Sequence, residues 1–292
     1  MIDFKSGQEL LKLCDENHWK ISQVMRQREC DMGEADAEQI QDRMENVLDT
    51  MKISAYTPLR NPVKSMGGLI GGEAKRLETH HLKGQNICGN VLGSAVTYAM
   101  AVLEVNASMG IIVAAPTAGS AGVVPGLLLS LEHQYHLSRQ EMTDGLFNAG
   151  AVGYLAMRNA TVAGAVGGCQ AEVGVAAAMA ASAAVELMGG TPGQCLDAAS
   201  VVLMNMLGLA CDPVGGLVEY PCQNRNAAGV ANALVAAELA LSGIRQWISF
   251  DEMLASMYRV GKKMPYELRE TALGGCAATP FGCRFCGKEH RS

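Results

Sequence analysis

VGVAAAMAASAAVELMGG (residues 173–190) decides the fold. At helical spacing the segment is apolar almost all the way round, which leaves no face for water and predicts a central helix buried on every side. Its alanines let neighbouring backbones approach closely, so other helices should wrap it. Gly189-Gly190-Thr191-Pro192-Gly193 then breaks the chain and restarts it, with Thr191 as the expected N-cap and Pro192 at the first helical position. Working outward, similar small-residue patterns predict helices near 91–108, 121–136, 140–157, 172–188, 193–208, 225–243 and 251–260. Only IIVAAP (111–116) and the Val/Leu run at 201–203 carry a strand signal. The expected fold is mainly α, a single multi-helix domain with buried Ala/Gly-rich helices and few or no strands.

Three sections are expected along the chain. Residues 1–60 read as an N-terminal helical appendage, from the apolar spacing of Gly7 to Cys14 and Ala35 to Ile53. Residues 61–275 form the main domain, opening with Gly-rich loops around a short helix, and residues 276–292 are a cysteine-containing tail. The 292 residues are 49 % apolar and 18 % charged, which excludes a disordered interaction segment. A net charge of −6 offers no basic field for a polyanion, so nucleic acid is excluded as a partner. The first twenty residues are interrupted by charge and contain no apolar signal core. Glu104, Glu172 and Glu186 break the most apolar stretches, so no membrane association is expected and the setting should be cytoplasmic.

In that setting the ten cysteines should be reduced thiols. Cys14, Cys30, Cys88 and Cys195 have no partner spacing and read as small core residues. Cys169 in GGCQAEVG, with Cys211 and Cys222 bracketing CDPVGGLVEYPC, differ: each lies at a Gly/Pro-rich break between helical segments. Free backbone N–H groups at such breaks stabilise a thiolate, as a metal site requires. Spacing alone leaves a metal site and buried core thiols both open. Should the three converge on a [4Fe–4S] cube, they would leave one iron open as a Lewis acid.

APTAGSAGVVPG (115–126), GCQAEVG (168–174), LGLACDPVGGLVEYPCQNRNA (207–227) and RETALGG (269–275) together resemble the iron–sulfur L-serine dehydratases, specifically the α chain of the two-chain form. The resemblance covers nearly the whole chain. It implies deamination of L-serine to pyruvate and ammonia without pyridoxal phosphate, and a [4Fe–4S] cluster on Cys169, Cys211 and Cys222. It also implies a separate β chain with a Ser-rich, His-containing motif that this sequence lacks, so the enzyme should be a heterodimer or larger. The general base is then expected on the β chain. L-threonine or L-cysteine as substrate, decided by residues 64–76 and the β chain, stays open. A non-catalytic metal-binding or redox subunit is the remaining alternative.

Other candidates are tied to this resemblance. Thr117, Gly119 and Ser120 read either as a carboxylate cradle or as a helix cap. Lys64 and Ser65 fall where the family places substrate contacts, although Ile70 and Glu73 depart from its usual Thr and Asp. Asn159, Arg225 and Asn226 are expected to orient the cysteine loops, with N-capping as the simpler reading of Asn226. His80 and His81 are adjacent, so on a helix they cannot share a face, whereas His133 and His136 can. Cys276, Cys283, Cys286 and His290 could form a zinc clasp, place a cysteine over the open iron, or be free thiols.

Overall fold

A computed structural model describes residues 1–285 except Glu34 and Gln85. The expected central helix is α9 (Val175–Leu187), and every residue in it but Leu187 is buried. It is enclosed by α6 (Val123–Tyr135), α7 (Arg139–Asn159), α10 (Pro192–Asn205) and α11 (Cys222–Leu241). A second layer is built from α3 (Ala37–Arg60), α4 (Glu73–Leu82) and α5 (Gly89–Ala107), with α12 (Phe250–Lys263) against α10. Short α8 (Gly164–Gly167) and α13 (Pro280–Cys283) lie in the loop regions, and α1 (Gly7–Asn17) and α2 (Ile21–Met32) close the other side.

Local chemistry sets these boundaries. Thr191 Oγ1 accepts from Gln194 N–H at 3.3 Å and Pro192 opens α10 as expected. Ser138 and Ser249 start α7 and α12 through the same reciprocal arrangement with Glu141 and Glu252. Gly126 explains the close crossing of α6 and α5, because a Cβ there would lie 2.8 Å from Ala95 O and 2.9 Å from Ala99 Cβ.

Residues 1–60 contribute Leu10, Ile21, Leu48 and Met51 to the same apolar cluster as α9. A buried polar network joins the two. Glu186 of α9 accepts from Asn148 Nδ2 at 2.7 Å and from Ser22 N at the start of α2 at 3.2 Å. Ser182 donates to Asn148 Oδ1 at 2.6 Å, so among the described residues the acid is held by neutral donors.

The strand signals are corrected. Residues 201–203 lie inside α10, where Val201, Val202 and Leu203 face the core, and 111–116 is irregular and joins no ladder. β-branching favours a strand only weakly, and helical packing on both sides overrides it. Among the described residues there is no strand, only an isolated bridge between Cys211 and Arg269. No helix there is long and apolar enough to cross a membrane.

Candidate metal centre

Four breaks in the helical core meet at one place, and side chains distant in sequence hold them there. Cys169 follows Gly168, whose φ of 75° is left-handed and whose missing Cβ would lie 2.8 Å from Leu209 O. After it, residues Gln170–Gly174 form a π-helical turn leading into α9. Such turns are uncommon and concentrate at functional sites. Gln170 is the bolt: its N–H donates to Leu209 O at 3.0 Å and its Oε1 accepts from Gly208 N–H at 2.9 Å. Its Nε2 donates to Gly167 O at 2.8 Å and to Met257 O at 3.1 Å. The Cys169 turn is thereby fixed against the strand-like segment that carries Cys211, itself secured by Cys211 N–H to Leu268 O (2.8 Å) and Glu270 N–H to Cys211 O (2.6 Å).

The sulfurs of Cys169 and Cys211 and a carboxylate oxygen of Glu172 lie within 4.8 Å of one another. These residues are 3 %, 4 % and 9 % exposed, so water barely reaches them. The Cys211 thiol donates to Glu172 Oε2 at 3.5 Å, while Thr117 Oγ1 donates to Oε1 at 2.8 Å. Cys222 is also buried, at the first position of α11, and interacts electrostatically with Cys169 and Glu172.

The proton states follow from these contacts. Pairing with Cys211 lowers the pKa of Cys169, with Arg225 reinforcing it against burial. The same pairing, with burial, pushes Cys211 up. Burial raises Cys222 to about 12 and raises Glu172 above the ordinary carboxylate value. Without a metal, Cys211 and Cys222 are held toward the thiol and Cys169 toward the thiolate; a soft cation that displaces the remaining protons finds a thiolate-rich, enclosed donor set. The residues present therefore fit a cysteine-bound metal or cluster.

Asn226 and Arg225 hold the frame. Asn226 is fully buried; its Nδ2 donates to Gly119 O at 2.8 Å and Cys222 O at 2.9 Å, and its Oδ1 accepts from Gly122 N–H at 3.1 Å. It sits inside α11, not before it, so the capping reading is set aside: α11 begins at Cys222, earlier than the pattern predicts, because its first polar residues find tertiary partners. Arg225 donates to Ala210 O at 2.8 Å and pairs with Asp212 at 2.5 Å, on either side of Cys211.

The remaining candidates lie as follows. Thr117 reaches Glu172, Gly119 leaves its carboxylate room, and Ser120 is buried with its hydroxyl 3.1 Å from Thr117 Oγ1. Lys64 is exposed, whereas Ser65 is buried and donates to Glu219 Oε2 at 2.7 Å. Glu219 also accepts from Gly67 N–H at 2.6 Å and Leu69 N–H at 2.9 Å, so one carboxylate anchors the whole turn. Asn159 is exposed at the end of α7 and donates to Lys5 O at 2.8 Å. His81, His133 and His136 line a separate cleft of about 560 Å³ with Glu78 and Asn90. Cys276 N–H donates to Asp212 Oδ2 at 2.6 Å, and the Cys283 thiol lies 4.0 Å from Ala277 O. Among the described residues neither thiol joins a metal-type group, and Cys286 and His290 lie outside them.

Sequence reading missed Glu172, Gln170 and Glu219. The available signal was an acid and an amide in an otherwise apolar, helix-starting stretch, where a polar group must find a partner.

A family model described as serine dehydratase alpha chain matches residues 16–277. The chain is 47 % identical over 279 residues to a Bacillus subtilis protein named probable L-serine dehydratase, alpha chain, covering 96 % of this chain and 93 % of that one. Identity is 42 % over 277 residues to the L-serine dehydratase alpha chain of Peptoniphilus asaccharolyticus, covering 95 % of each. A Helicobacter pylori L-serine dehydratase is 38 % identical over 95 % of this chain but only 62 % of its own length. With nearly full-length matches at these identities, the chain belongs to the serine dehydratase alpha chain family.

Proposed function

We propose that this chain is the α subunit of an iron–sulfur L-serine ammonia-lyase, with Cys169, Cys211 and Cys222 as cluster ligands. The observation that carries the reading is the meeting of two family-motif cysteines, Cys169 and Cys211, in a buried cluster with Glu172. The third, Cys222, lies outside that group, buried at the start of α11 and interacting electrostatically with Cys169. The names of its relatives support serine as substrate. Their designation as alpha chains supports a β-chain partner, and so does the greater length of the Helicobacter pylori relative. The described cysteines are free thiols, in keeping with a reducing, cytoplasmic setting.

The reaction removes the α-proton and β-hydroxyl of serine as water. The enamine tautomerises to an imine, which takes up water and releases ammonia, leaving pyruvate. A [4Fe–4S] cluster held by three cysteines supplies an iron without a protein ligand, a Lewis acid for the hydroxyl or carboxylate of a substrate. The chain's own residues enclose that place. Gln170 and Arg225 fix the cysteine segments, Asn226 ties Cys222 to the Thr117–Gly119 loop, and burial excludes water. Removal of the α-proton falls to a base on the β chain, and no pyridoxal phosphate is required.

The test is anaerobic reconstitution with iron and sulfide in the presence of the partner chain, followed by electron paramagnetic resonance and turnover of L-serine, L-threonine and L-cysteine. A cluster lost in Cys169→Ala, Cys211→Ala and Cys222→Ala, with a signal that shifts on adding L-serine, is the expected result. Activity should fall in air and return with iron and reductant; full activity of metal-free, aerobically purified enzyme would sink the reading.

A further inference from the structure

We infer that Glu172, presented by Thr117, is the seat for the α-ammonium group of the amino-acid substrate; the inference rests on the proposed lyase reading of the same site. The starting point is a charge imbalance. Glu172 is 9 % exposed, and among the described residues no Lys or Arg forms an ion pair with it. Arg225, the nearby cation, is already paired with Asp212. The surroundings offer no replacement, since Glu270 is a second acid facing it, and three cysteine thiolates would more than cancel the charge of a bound cluster. A buried carboxylate in such company lacks a counter-cation, and a zwitterionic amino acid brings one.

The two other buried acids of the core sharpen the contrast. Glu104 accepts from Ala74 N–H at 2.8 Å, and Glu186 accepts from Ser22 N–H and Asn148 Nδ2. Their partners include fixed backbone donors, as expected of structural groups. Among the described residues, Glu172 accepts only from the Thr117 hydroxyl and the Cys211 thiol, both of which can reorient.

Glycine flanks the carboxylate on two sides. A Cβ on Gly164 would lie 2.4 Å from Oε2, and one on Gly119 would lie 3.3 Å from Oε1. Thr117 sets the orientation, and an ammonium group provides several donors for the remaining lone pairs. The consequence is specificity. Replacing the ammonium by a hydroxyl, as in L-glycerate, removes the partner of Glu172, so the site should favour amino acids over hydroxy acids.

The experiment uses Glu172→Gln in the reconstituted two-chain enzyme, scored by iron and sulfide content and by the paramagnetic signal during titration with L-serine or L-glycerate. The expected result is wild-type iron content, a requirement for about 10- to 100-fold more L-serine, as loss of a charge-assisted hydrogen bond implies, and little change for L-glycerate. Thr117→Val, which keeps side-chain shape and removes the hydroxyl, should weaken L-serine in the same direction by less. Loss of iron from Glu172→Gln would overturn the inference by making Glu172 a metal ligand. Equal weakening of both compounds would overturn it by making the role structural. A wild-type signal indifferent to L-serine would instead overturn the lyase reading beneath it.

Discussion

Gly164→Ala is the sharpest probe of the candidate metal centre, because its sign runs against the usual effect of the substitution. Gly164 opens α8 and has no positive φ, so alanine suits its backbone and would ordinarily add about 0.5–1 kcal/mol by reducing unfolded-state entropy. The new methyl carbon, however, would lie 2.4 Å from Glu172 Oε2 and 3.0 Å from Cys211 Sγ. To restore ordinary contact the carboxylate must retreat by about 1 Å, which abandons the 2.8 Å bond from Thr117 or the contact with Cys211. A hydrogen bond to a charged group is worth about 1.5–3 kcal/mol, so the clash outweighs the backbone gain and leaves a net loss of about 1–2 kcal/mol. Gly150 is the control: nothing lies within 4 Å of a Cβ there, and alanine in the middle of α7 should stabilise by the full backbone term. The assay is anaerobic thermal unfolding of the metal-free chain, with iron bound after reconstitution as a second readout. Gly164→Ala should lower the midpoint at about 2–4 °C per kcal/mol and bind less iron, while Gly150→Ala should raise the midpoint. A Gly164→Ala protein that melts at or above wild type with a full complement of iron would refute this account of the site's packing.

Three further perturbations address the scaffold around it. Asn226→Ala leaves Gly119 O, Cys222 O and Gly122 N–H without their partner, and should cost about 2–4 kcal/mol in thermal unfolding, with iron retention falling in parallel. Glu219→Ala removes the acceptor of Ser65, Gly67 and Leu69, so amide exchange should accelerate across residues 65–70 and stay at wild-type rates in α9; protection unchanged in that turn would contradict the anchor. Glu104→Gln tests pH linkage. Burial, opposed by Ala74 and Gly72 N–H groups, raises this carboxyl above its ordinary value of 4.5. The folded state therefore holds the proton more tightly, and the resulting stability is complete below the ordinary value and lost as pH rises through the folded one. The variant should lose that decline, gaining on wild type as pH rises above 4.5 in paired melting curves; parallel curves would rule the linkage out.

Legibility from sequence was uneven for a physical reason. The helix of residues 175–187 could be read because all-round apolarity has one soluble solution, burial among other helices. The Thr191-Pro192 start of α10 could be read because capping is local. The strand signal at 201–203 misled because β-branched residues also fill helical cores once packing is fixed elsewhere. The cysteines stood out through the Gly/Pro breaks around them, while the groups that bring two of them together did not. Gln170 acts on carbonyls and an amide at 167, 208–209 and 257, and Asn226 acts on 119, 122 and 222. Such contacts join segments that no periodicity connects.

That separation also accounts for the placement of Glu172. In the sequence it is an acid interrupting an apolar run; in the fold the π-helical turn begins just after Cys169 and carries the carboxylate to both Cys211 and Thr117. The same turn feeds directly into the most buried helix of the molecule, so the donor set stands on an element with no freedom to drift. Amide side chains and glycines hold the loops at fixed distance, and the groups left chemically adaptable are the thiols, one hydroxyl and one carboxylate. A rigid frame around a few adaptable donors is what binding a metal and then a small zwitterion demands, because ordering costs are met by folding before either arrives.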